Sequence, residues 1–198
     1  MQPVIDERSP TGGTARRAHY RSENGLRAVD LTVGTTASLF SGLDPSPPGQ
    51  RDLAPEIQSY IVDAVTEIGG PAQAKIVIHL PAAELARAEG VGDAVRHFFT
   101  YRAWAATQDL RRLLRTGYAS LAIGVLFLIA CLALRGALQA RVDTGLGTVF
   151  GEGLVIVGWV ALWRPLETFL YDWWPIWRRR RFYEALGRIA VECRAQGG

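Results

Sequence analysis

Two apolar runs organise the chain. The first, Tyr118 to Leu134 (YASLAIGVLFLIACLAL), carries no charged residue. At about 1.5 Å per helical residue it covers most of a hydrocarbon core roughly 30 Å thick. Val95, Phe98, Phe99, Arg102, Ala106, Leu110, Leu113 and Leu114 lead into it from Asp93 with helical spacing and no proline, so one helix is expected to run from polar surroundings into lipid. A polar stretch, Arg135 to Thr144, separates it from the second run. That run begins near Gly147 as GTVFGEGLVIVGWVALW, meets Arg164 and Pro165, and continues as LETFLYDWWPIW.

The first part of the chain has different periodicities. Residues 1–27 mix Gly, Ser, Arg and Glu without apolar spacing, which predicts a disordered tail. Ala28 to Val33 (AVDLTV) alternates apolar and polar residues as a strand does. The prolines at 45, 47 and 48 and Gly49 forbid regular structure, and Asp52 is placed to cap a helix starting at Leu53. Ile57, Ile61, Ala64, Val65 and Ile68 fall on one face of that helix, which should end at Gly69 and Gly70. Lys75 to Leu80 (KIVIHL), closed by Pro81, reads as a second strand. Strand, helix, strand over this length make a parallel βαβ unit. Two strands alone leave open edges, and IAVECR (Ile189 to Arg194), alternating after Gly187, is expected to add a further strand.

The predicted fold class is therefore an α+β membrane protein, with a small cytosolic βαβ domain joined to a two-helix transmembrane hairpin. By residue, 1–27 form the tail, 28–92 the cytosolic domain, 93–117 a helical stalk, and 118–171 the hairpin. Residues 172–198 form an interfacial segment, a short helix and a C-terminal strand.

Charge gives the orientation. Arg102, Arg111, Arg112 and Arg115 precede the first run and Arg178, Arg179, Arg180 and Arg181 follow the second, whereas the connection holds only Arg135 and Arg141. Basic residues collect on the cytoplasmic side, so both termini are expected there. Trp173, Trp174 and Trp177 fit an aromatic belt at that interface. Lys and Arg total 22 against 19 for Asp and Glu, a formal +3 that does not suggest a nucleic-acid partner. The mean hydropathy of +0.08 averages two unlike halves. Asp6, Glu7 and Arg8 stand where a secretory leader would be apolar, so no leader is expected. Cys131 and Cys193 fall on opposite sides of a membrane boundary, which argues against a disulfide.

The candidate sites are of three kinds. Gly147, Gly151 and Gly158 share a helical face, with Ser120 and Gly124 as a counterpart on the first run. Small residues let helix backbones approach closely, within one hairpin or between two copies. Glu152, Arg164 and Glu167 are the ionisable groups nearest the second run, suited to interfacial anchoring or, in an oligomer, to ion transfer. Arg111, Arg112, Arg115 and Arg178 to Arg181 match anionic lipid headgroups. His19, His79 and His97 have no joint ligand spacing, so neither metal nor cofactor is expected. GLGTVFGEG lacks the order of a dinucleotide loop.

LFSGLDPSP, RDL, RHFFTYR and WRPLETFLYDWWPI together make the chain resemble a group of small bacterial two-span membrane proteins. The likeness runs from about Ala28 to Arg194. It departs at Pro48, where the group has an aromatic residue, and at Ala54, where it has an acidic one. The resemblance implies the two-span architecture in a bacterial inner membrane and brings no catalytic residue. The expected function is a noncatalytic docking or assembly module with lipid and a membrane protein or a second copy as partners. Two other classes are a small transporter or accessory subunit, and a membrane enzyme using Asp44, Asp52, Glu167 and Asp172 on a lipid-like substrate.

Overall fold

The computed structural model describes residues 20–45, 51–140 and 145–196. Most of the tail expected at 1–27 and residues 46–50, with Pro47, Pro48 and Gly49, lie outside them; so do His19 and Arg141. The fold is mixed α+β, with a four-stranded sheet and two apolar helices long enough to cross a membrane. It divides into two compact units, residues 1–103 with 181–198, and residues 104–180.

The first unit holds the sheet. Strands β1 (Ser22–Glu23), β2 (Leu26–Thr32), β3 (Ala74–Leu80) and β4 (Val191–Ala195) lie in that order. β1 pairs antiparallel with β2, while β2, β3 and β4 are parallel neighbours. Helix α1 (Pro55–Ile68) links β2 to β3, and the short α2 (Ala82–Leu85) follows β3. The alternating residues Val29 and Leu31 of β2 and Ile76, Ile78 and Leu80 of β3 face a common core. From α1 that core takes Ile61, Ala64, Val65 and Ile68, the face that sequence spacing predicts. Full burial of each of these Val, Leu and Ile side chains contributes about 1.5–3 kcal/mol before entropy is counted.

Three details differ from the sequence expectations. Residues 20–27 are not part of a tail. Asn24 and Gly25 both take positive φ, 54° and 78°, and form the two-residue turn that matches the twist of a hairpin and sets β1 against β2. The first helix starts at Pro55, not Leu53, and Asp52 does not cap it. Pro55 fixes the first helical φ and holds Ala54 extended, while the Asp52 amide donates to Asp44 Oδ2 at 2.7 Å. The expected C-terminal strand is present as β4, one to two residues later than spacing placed it. It pairs Val191 with Ile76 and Cys193 with Ile78, and buries Ile189 beneath it.

Helix α3 (Val91–Gln139) is continuous over 49 residues, as the absence of proline predicts. Arg135 therefore lies on a helix and not in the connection. After α4 (Gly145–Val160) a turn precedes α5 (Trp163–Glu167), because the Pro165 ring nitrogen cannot donate to the carbonyl of Ala161. A π-helical turn at Thr168–Asp172 then leads into α6 (Trp173–Leu186).

Candidate functional site

On the sheet face opposite the core, an ion cluster joins three distant parts of the chain. Lys75 follows Ala74 at the start of β3, and strand alternation turns it away from Ile76 and the core. Its ammonium lies 2.6 Å from Glu23 Oε2 on β1 and 3.1 Å from Glu192 Oε1 on β4. Arg194 donates to both Glu23 oxygens, at 2.9 and 2.7 Å, and also to Glu192. Lys75 itself is 4% exposed, whereas Arg194 and Glu192 remain accessible. Beside them Asp30 accepts from Arg21 at 3.2 Å, and its Oδ1 lies 2.7 Å from His79 Nε2.

The hydrogen bonds of Arg194 and then Lys75 hold the Glu23 carboxyl down at about 2. Arg194 and Lys75 lower Glu192 in the same way. The bond to Glu23 raises Lys75 above its ordinary 10.5, against the effect of its burial. These charges are mutually compensated, which is what makes a buried lysine tolerable. Sequence reading gave Lys75 no role, since its partners lie 52 and 117 positions away. Burial raises the Cys193 thiol.

The second unit is built on a seam of small residues. Gly117, Gly124 and Cys131 of α3 recur every seven positions and are buried, as are Gly151, Gly158 and Pro165 on the other side. A Cβ on Gly117 would stand 3.0 Å from Thr168 Cγ2, one on Gly124 3.0 Å from the Ala161 carbonyl oxygen, and one on Gly158 2.7 Å from Leu128 Cδ1. A Cβ on Gly151 would stand 3.1 Å from Cγ of Arg135, whose stem covers this glycine. Partner numbers fall as α3 numbers rise, so the two apolar helices run antiparallel in contact. The Ala161 carbonyl that Pro165 leaves without its helical donor is the one resting on Gly124.

The sequence-predicted residues distribute as follows. Gly124, Gly151 and Gly158 lie in the seam. Ser120 is half-buried and donates to the Thr116 carbonyl at 2.7 Å. Gly147 falls in the first turn of α4, where side-chain surroundings lie outside the described residues. Glu152 is exposed on α4. Arg164 and Glu167 pair at 3.5 Å, and the Trp163 indole donates to Glu167 at 3.1 Å. Arg111, Arg112, Arg115, Arg178, Arg179 and Arg181 are exposed and Arg180 half-buried, with Arg179 3.3 Å from Asp109. Thr168, which spacing did not single out, is buried and donates to the Arg164 carbonyl and to Asp172, each at 3.3 Å.

The outward faces are apolar. Ile123, Leu126, Phe150, Ile156, Trp159 and Trp163 are each more than 60% exposed. Of the most apolar stretch of each candidate span, 11% and 17% is buried, whereas a core helix of a soluble protein would be mostly buried. Comparison with protein-family models, curated proteins and solved structures gave no match.

Proposed function

We propose that the chain is a multi-pass protein of the bacterial inner membrane in which the two apolar helices form a transmembrane hairpin. The sheet domain then lies in the cytoplasm as a noncatalytic docking or assembly module held against anionic lipid. One observation carries the reading. β4, downstream of both apolar helices, pairs with β3, upstream of both. A chain whose two flanks build one sheet crosses a bilayer an even number of times. The arginines before the first helix and after the second support the cytoplasmic side. Each arginine near an anionic surface adds about 1 kcal/mol of attraction. Docking is supported by the half-exposed, mixed-sign side chains that three strands hold in fixed positions.

The test uses single cysteines in a Cys131→Ser, Cys193→Ser background. Asp143→Cys should react with an impermeant maleimide in intact spheroplasts, and Arg188→Cys only after lysis. External labelling of Arg188→Cys would overturn the topology.

A further inference from the structure

A cleft of about 230 Å³ opens in the sheet domain at the carboxyl ends of the parallel strands β2 and β3. Its walls are the segment after β2 (Thr36, Phe40), the loop residue Arg51, and the turn after β3 (Arg87, Glu89). The first turn of α3, with Val91 and Ala94, forms the apolar floor. Crevices at the carboxyl ends of parallel strands are where open α/β sheets receive ligands, because the loops that leave the strands diverge there.

The walls are braced. Glu84, outside the lining, accepts from both the amide and the hydroxyl of Thr36 at 3.0 Å, and from Arg87 Nη1 at 2.9 Å. One carboxylate therefore ties the segment after β2 to the turn after β3. The bonds from Thr36, amide first, hold the Glu84 carboxyl below its ordinary value, so the brace stays charged at neutral pH. Arg87 uses one donor on this brace and keeps the rest of its guanidinium exposed. Glu89, two residues on, carries no hydrogen bond or ion pair among the described residues. The cleft thus presents guanidinium donors, an uncommitted carboxylate, and an apolar floor with an aromatic side chain.

From this arrangement we infer that the cleft binds a small zwitterion, an α-amino acid with an apolar side chain. Its carboxylate faces Arg87 and Arg51, its ammonium faces Glu89, and its side chain lies on Phe40, Val91 and Ala94. A dianionic phosphate suits the cleft less well, because Glu84 already offsets Arg87 and Glu89 adds a second negative charge. The volume admits one amino acid of middle size and excludes a nucleotide.

The test is calorimetric titration of the full chain in lipid nanodiscs with L-leucine, with isocaproate, which lacks the ammonium, and with isoamylamine, which lacks the carboxylate. L-Leucine should bind at least tenfold more tightly than either analogue. Glu89→Gln should weaken L-leucine about tenfold, the equivalent of about 1.4 kcal/mol, and leave isocaproate unchanged. Arg87→Gln should weaken both. Both side chains are exposed, so both variants should fold, and unchanged melting temperatures check this. Isocaproate binding as tightly as L-leucine would make this a plain anion cleft and overturn the inference, as would no binding of L-leucine. Cysteine labelling of the topology is independent of either result.

Discussion

Adding one carbon to Gly124 tests the helix seam most sharply. In Gly124→Ala the new Cβ stands 3.0 Å from the Ala161 carbonyl oxygen and 3.0 Å from Leu162 Cδ2. The first of these is backbone, so relief requires the helices to separate by several tenths of an ångström. Overpacking of this kind costs about 1–3 kcal/mol. The same substitution gains up to about 1 kcal/mol of helix propensity. Gly153 isolates that gain, since nothing lies within 4 Å of a Cβ added there. Gly158 is intermediate, because its closest neighbour, at 2.7 Å, is the tip of the flexible Leu128 side chain. Gly124→Ala should therefore fall below Gly153→Ala by about 1–3 kcal/mol, or roughly 3–9 °C in melting temperature for a chain of this size. Fluorescence-detected size exclusion after heating in detergent reads the difference. Equal midpoints for Gly124→Ala and Gly153→Ala would mean that the seam does not exist.

Further outcomes follow from other features. With Cys193→Ser to remove the second thiol, Gly158→Cys should oxidise to an intramolecular disulfide with Cys131, since the Cβ atoms would stand 3.4 Å apart; non-reducing electrophoresis shows it, and its absence would place the helices elsewhere. Glu23 and Glu192 have depressed carboxyls, so their stabilisation is complete above their unfolded value near 4.5 and is lost at lower pH, for Glu23 as pH falls towards about 2. Lys75 is raised, so its share is complete below 10.5 and fades at higher pH. Acid unfolding of the sheet should accordingly begin below about pH 4.5, and Glu23→Gln should flatten that limb; an unchanged acid limb refutes the role of the cluster. Ile189→Ala empties a site 4% exposed and should cost about 2–4 kcal/mol, read as faster amide exchange in Ile76 to Leu80.

Local pattern exposed some of this fold and not the rest. The buried face of α1 and the unbroken length of α3 follow from spacing and from the absence of proline, both of which act within a few residues. The β1–β2 hairpin has an equally local signal, Asn24-Gly25, obscured by the polar composition around it. Pro55 outweighs Asp52 at the start of α1 because a fixed φ acts at once, whereas a cap needs a side chain at the right distance. Glycine spacing finds Gly124, Gly151 and Gly158, yet Gly153, two positions from Gly151, faces open space. No one-dimensional pattern reveals that Lys75 meets Glu192, or that Glu84 ties Thr36 to Arg87. Those contacts exist only once the strands are in register.

The place of β4 also constrains how the protein is made. While a ribosome is still producing the apolar helices, β3 has its β2 edge satisfied and its other edge bare, and Lys75 lacks the carboxylate of Glu192, 117 positions ahead. Until β4 has been made, the nascent sheet is thus incomplete and exposes an edge. It closes only after the second helix has been delivered and the chain has come back. In the proposed transmembrane hairpin, a copy whose second helix failed to cross would hold β4 on the far side of the bilayer and leave that edge open.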